Sequence, residues 1–128
     1  MNDQVLELHV EPAHEAAGEA RRAVRAGLSQ SGLSRTLLDD VLLVVSELVT
    51  NAALHARTQA RVVVRWDGER VLVEVFDADS HPPMLLNEAP SVGGWGLRLV
   101  ERLSRTWGCD PQRGGGKRVW AEVREGPR

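Results

Sequence analysis

The segment Ser46–Ala56, SELVTNAALHA, closes a strongly apolar run yet carries Ser46, Glu47, Thr50, Asn51 and His55. At about 100° per residue in an α-helix these five positions fall in one narrow stripe, because Glu47, Asn51 and His55 recur at a spacing of four with Ser46 and Thr50 beside them. Helix stripes that face plain solvent collect Lys, Arg and Glu. This one holds short hydrogen-bonding groups, a single carboxylate and no basic residue, so a cleft reading stands beside the solvent reading. Glu47 has the chemistry of a general base, and the Asn51 amide oxygen suits Mg²⁺, a hard cation that keeps several waters. Around the stripe, Ser34 can cap a helix that continues through LLDDVLLVVSELVTNAALHA to about Arg57 without Gly or Pro.

Upstream, VLELHV (Val5–Val10) alternates apolar and polar and predicts a strand ending near Pro12. AHEAAGEARRAVRAGLSQSG then predicts a first helix, stopped by Gly32. Downstream, ARVVVRWDGERVLVEVFDAD reads as strand, two-residue Asp67-Gly68 turn and strand, with Val62–Val64 and Val71–Val75 on either side. From Ala78 to Trp95 the chain holds Pro82, Pro83, Pro90, Gly93 and Gly94, which predicts a long loop of the kind that serves as a lid. GLRLVERLSRTWG restores helical periodicity through Leu97, Leu99, Val100 and Leu103, with Gly108 as its stop. A short strand, a glycine turn and a closing strand from Lys117 to Val123 complete the chain. This order predicts an α+β fold: a two-layer α/β sandwich with a mixed or antiparallel sheet covered on one face by about three helices, in a single domain over 1–128.

Composition narrows the function classes. The chain has 128 residues, 42% hydrophobic and 27% charged, with a net charge of −2, and no run approaches the ~18 apolar residues of a membrane span. Residues 1–20, with Asp3, Glu7, Glu11, Glu15 and Glu19, lack the basic start and apolar centre of a signal peptide, so a cytoplasmic location is expected. The lone cysteine, Cys109, forms no intrachain disulfide and fits a reducing compartment. Arg57, Arg61, Arg65 and Arg70 are interleaved with apolar and acidic residues, and neither direct nucleic-acid binding nor membrane attachment is expected.

Two further motifs follow the stripe in order. Asp77 directly follows a strand in VEVFDAD and reads either as a turn former or as an acceptor for an exocyclic amine such as that of adenine. In GGWGLRLVERLS, Gly93, Gly94 and Gly96 let backbone approach a ligand, and the helix from Leu97 aims its free N–H groups there, an arrangement suited to phosphate. A flexible loop before a helix start is the other reading of the same glycines.

Together and in this order, the three motifs resemble the Bergerat-fold ATP-binding superfamily (histidine kinase-like ATPases). They are most similar to its short bacterial branch of anti-sigma factor serine/threonine kinases. SELVTNAALHA resembles the family's N box, VFDAD the start of its adenine-side box, GGWGLRLVERLS its second glycine box and GGGKRVWAEV its final strand, over about Pro12 to Val123. The resemblance implies ATP and Mg²⁺ as ligands. Asn51 would hold the Mg²⁺ that bridges the phosphates, and Glu47 would activate the attacking hydroxyl or water. Asp77 would bind the adenine amine, and Gly94, Gly96 and Leu97 would present backbone to the phosphates beneath a lid of residues 80–95. His55 is implied either at the lid or phosphates or as a structural histidine, and Trp95 either on a base or in the core.

One departure from the family pattern is legible. Where the family has Asp-x-Gly-x-Gly, this chain has Asp77, Ala78, Asp79, Ser80 and His81, with both glycines gone. Asp79 brings a carboxylate and a Cβ to a place where backbone normally meets nucleotide, so either the loop takes another path or ATP binding is weak. The resemblance implies a protein partner, either a sigma factor held inactive or a small antagonist phosphorylated on serine or threonine, and a homodimer. The alternative is a non-catalytic, nucleotide-sensing module in which ATP orders the lid and presents a binding surface.

Overall fold

The structure is a computed structural model that describes residues 4–81 and 96–125. Strand β1 (Gln4–Val10) turns Leu6, Leu8 and Val10 inward and is followed by helix α1 (Ala16–Gly27), which buries Ala16, Ala20 and Val24 at the four-residue spacing of one helical face. Helix α2 (Arg35–Thr50) starts at Ser34, whose hydroxyl accepts the Leu37 N–H at 3.1 Å. Such a cap satisfies one of the N–H groups that a helix start leaves unpaired. Leu37, Val41, Val44, Val45, Leu48 and Val49 make α2 the spine of the core, each at most 1% exposed.

The helix does not stay α-helical to Arg57. From Asn51–Ala56 it widens into a π turn, in which the Arg57 N–H reaches back five residues to the Ala52 carbonyl at 2.8 Å, and Arg57 closes it in the left-handed region at φ 59°. The expected stripe assumed one α winding throughout, and the wider turn changes the relation of position 55 to position 51.

Strands β2 (Ala60–Trp66), β3 (Arg70–Asp77), β4 (Thr106–Pro111) and β5 (Lys117–Arg124) join β1 in one sheet, ordered β1-β2-β3-β5-β4, with helix α3 (Gly96–Leu103) preceding β4. Every neighbouring pair is antiparallel, which decides between the mixed and antiparallel expectations. In register, Val62, Val64, Val73, Val75, Val119, Ala121 and Val123 point to one face and are buried under the helices. Alternation along each strand gives this sidedness. The two-layer α+β sandwich is therefore as expected.

Two boundaries differ from the sequence reading. The hairpin turn centres on Gly68-Glu69 and not on Asp67-Gly68, since Asp67 still pairs with Arg70 and Gly68 takes the positive φ of 101°. Helix α3 ends at Leu103 and not at Gly108. The Arg105 N–H bonds the Glu122 carbonyl at 2.8 Å, so the chain has already entered the sheet, and Trp107 and Cys109 pack as strand residues against the core.

The face of the sheet away from the helices carries a charged lattice. Glu74, 6% exposed, takes Arg65 Nε at 3.0 Å and Arg118 Nε at 2.7 Å, and Arg118 continues to Asp110 at 2.8 Å. Burial alone would push the Glu74 pKa up, but the two guanidinium hydrogen bonds reverse this and hold it below the ordinary value. Its contribution to stability is present above the ordinary glutamate pKa and is lost as pH falls through the depressed one. Arg61 stacks over Phe76 at 4.1 Å from the ring centroid, so its methylenes and guanidinium shield the ring from water.

Candidate active site

Glu47 lies in the last turn of α2, half-buried, and burial raises its pKa above the ordinary carboxylate value while the positive charge of Arg21 pulls it partly back. Arg21 reaches across from α1, its Nη1 donating to the buried Ser46 hydroxyl at 2.6 Å. Ser46 is thus held by a cation 25 residues away. Asn51 opens the π turn, half-buried, its backbone N–H shared between the carbonyls of Glu47 and Leu48. The side chain of His55 lies outside those described.

Across the layer, Asp77 is the last residue of β3 and stands directly opposite Lys117, the first of β5. Their side chains are 2% and 5% exposed and form an ion pair of 3.0 Å, Lys117 Nζ to Asp77 Oδ1. The same Oδ1 accepts the Asp79 N–H at 2.9 Å, and Nζ also donates to the Asp79 carbonyl at 3.1 Å. Asp77 therefore is a turn former, as one of its two sequence readings had it. It is also a buried, charge-paired group facing the helical layer.

The glycine-free loop after Asp77 is tied down at each residue. The Ala78 N–H bonds Thr58 Oγ1 at 3.1 Å, Ser80 Oγ accepts the Gly116 N–H at 3.1 Å, and Asp79 Oδ1 accepts both the His81 N–H at 3.0 Å and its Nδ1 at 2.7 Å. Those His81 contacts hold the Asp79 pKa below its ordinary value. The Asp79 carboxylate is thus engaged with His81. Gly116 has a φ of +85°, and a Cβ there would overlap the Asp77 carbonyl oxygen. We expect Gly116→Ala to lose about 2 kcal/mol or more, since left-handed strain and a backbone clash add, and thermal unfolding will register this as a melting point lower by roughly 5–10 °C.

At the remaining wall, α3 begins at Gly96, and Leu97 is 3% exposed with its side chain in the core, so only its backbone can meet a ligand. Gly94, Trp95 and the lid from residue 82 onward lie outside the described residues. Helix α2 packs against α3, β3 and β5, and the π turn against β3, so Asn51, Asp77 and Leu97 sit on elements that each contact the helix bearing Glu47.

Sequence reasoning missed Arg21 and Lys117. Each acts through a partner 25 or 40 residues away, a relation no local spacing encodes. A depression of about 280 Å³ lined by Arg65, Trp66, Asp67, Arg70, Leu72 and Glu122 lies at the hairpin end of β3, opposite Asp77, and shares no residue with this arrangement. Its guanidiniums are already paired with Glu74, Asp67 and Glu122.

Among the described residues no three or more His, Cys, Asp or Glu side chains converge as a metal cage. A Mg²⁺ held by one side-chain oxygen, nucleotide phosphates and water needs none, and Asn51 beside the partly desolvated Glu47 fits that mode. No helix among the described residues is long and apolar enough to cross a membrane.

The arrangement is a two-layer sandwich with an acid and an amide ending one helix and a buried aspartate ending the facing strand. The chain belongs to the histidine kinase-like ATPase domain family, whose model matches residues 10–123. No curated protein sequence matches it. The crystal structure of the RsbU and RsbW domains of Rv1364c from Mycobacterium tuberculosis is similar, with a TM-score of 0.71 and 21% identity, covering 94% of this chain and 32% of that one. A histidine kinase domain of a blue-light activated histidine kinase from Erythrobacter litoralis has a TM-score of 0.47 and 22% identity, covering 85% of this chain and 59% of that one. The chain thus spans about a third and about three fifths of the lengths of these two proteins.

Proposed function

We propose that this domain binds ATP with Mg²⁺ and transfers the γ-phosphate to a serine or threonine of a protein partner. Its regulatory role would be that of an anti-sigma factor kinase acting in the cytoplasm. The observation that carries the reading is Glu47: a carboxylate made more basic by burial, one turn before Asn51 and on a helix packed against the strand that bears Asp77. In the proposed step the acceptor hydroxyl forms a bond to the γ-phosphorus, the bond to the β–γ bridging oxygen breaks, and the hydroxyl proton passes to Glu47. Bound Mg²⁺ would neutralise phosphate charge, with Asn51 as its protein ligand. Asp77 would accept the adenine amine, and the backbone of Gly94, Gly96 and Leu97 would face the phosphates. His55, Asp79 and Trp95 are proposed as pocket or lid residues. The partner would be a sigma factor or its antagonist, with a homodimer as the assembly.

A second reading, a nucleotide-sensing module without phosphoryl transfer, is favoured by the tethered Asp79–His81 loop in place of flexible glycines. Calorimetric titration with ATP and Mg²⁺, repeated with GTP, tests both readings at their common root. Micromolar binding of ATP over GTP is expected. Equal or absent binding of the two nucleotides overturns the adenine site, and ADP release then separates kinase from sensor.

A further inference from the structure

The chain contains fifteen arginines and a single lysine, and that lysine is buried. Lys117 is 4% exposed, with its ammonium directed at the end of β3. Of its three N–H donors, one meets Asp77 Oδ1 and one the Asp79 carbonyl. Because Asp79 also donates its N–H to Oδ1, every hydrogen bond to Asp77 from the described residues falls on that one oxygen, and Oδ2 accepts none among them.

We infer that Lys117 is the positioning residue for base choice. Its ammonium, together with the Asp79 N–H, anchors Asp77 through Oδ1 and leaves Oδ2 as the acceptor edge that takes a 6-amino purine and rejects a 6-oxo purine. The inference rests on the ATP reading above. The ammonium and the Asp79 N–H both bond Oδ1 and so hold the carboxylate in one orientation. Without that ammonium Oδ1 keeps only the Asp79 N–H, the carboxylate is freer to turn, and the edge it presents to the purine 6-position is no longer fixed. Arginine at this place would spread its charge over a planar fork; lysine concentrates it on one atom and so can load a single carboxylate oxygen.

The test compares ATP with ITP, which differ at the purine 6-position as amine and carbonyl, by calorimetry on the full chain. Wild type is expected to prefer ATP by about tenfold or more. Lys117→Met should compress that ratio by about tenfold, and Lys117→Arg should restore part of it; a purely structural lysine would lower both affinities together. Folded Lys117→Met with the wild-type ratio overturns the inference. Should that variant fail to fold, wild-type protein labelled with ¹⁵N at lysine Nζ decides. The sole ammonium resonance is expected to shift on saturation with ATP, and an unmoved signal overturns the inference. Wild type that binds neither nucleotide removes the ATP reading itself, whereas ATP selectivity untouched in folded Lys117→Met removes only the role of Lys117.

Discussion

Glu47→Gln is expected to bind ATP with Mg²⁺ nearly as well as wild type while losing about 10²- to 10⁴-fold in phosphoryl transfer, the usual contribution of a positioned general base. The amide preserves shape and hydrogen bonding but cannot take the hydroxyl proton. ADP production, read beside a calorimetric titration on the same sample, checks this, and unchanged turnover would remove Glu47 from the chemistry. Stability should move the other way. Burial raises the Glu47 pKa in the folded protein, so above the ordinary glutamate pKa the native state retains a proton that the unfolded chain has released. Glu47 therefore favours the fold fully at low pH, and this contribution is lost as pH rises through its raised pKa. The nucleotide-free Gln variant should accordingly melt no lower than wild type at neutral pH. Its advantage should disappear below the ordinary carboxylate pKa.

Asp77→Ala should do two kinds of damage at once. Loss of the acceptor for the adenine amine removes about ten- to a hundredfold of ATP affinity. Deleting one member of a buried ion pair also strands the Lys117 ammonium, whose side chain is 5% exposed, and such a loss costs about 3–5 kcal/mol. The two effects separate in the double variant Asp77→Ala/Lys117→Met, which should recover much of the melting temperature but none of the nucleotide binding. If the double variant melts as low as the single one, the stability loss comes from the Asp79 N–H left without its acceptor and not from the stranded charge.

The elements built on short-range periodicity were legible in the sequence. The apolar face of α2, its Ser34 cap, the β2–β3 hairpin and the closing strand all follow from spacing and turn chemistry confined to a few neighbouring residues. The π turn after Asn51 was not legible, because AALHA is good α-helix sequence and carries no local signal of the wider winding that the structure shows packed against β3. Helix α3 was read too long for a related reason: Thr106 and Trp107 extend a helical pattern as well as they start a strand, and pairing with β5 decides between them. At the candidate site, Glu47, Asn51 and Asp77 were recognisable as residues, and the structure adds their electrostatic companions. Neither Arg21 nor Lys117 could be assigned to a carboxylate until the strands and helices were brought together.

The strand order also governs how this protein can assemble in time. The β2–β3 hairpin and the β4–β5 pair close over short loops, whereas Asp77 and Lys117 are 40 residues apart and meet only when β5 docks between β3 and β4. Contacts so distant along the chain bear the loop-closure entropy that slows folding, and they form after the local ones. The Asp77–Lys117 end of the candidate site is thus among the last parts of the molecule to form. On the proposed ATP reading, recovery of nucleotide binding during refolding is expected to follow arrival at the native state, later than the return of helix and hairpin.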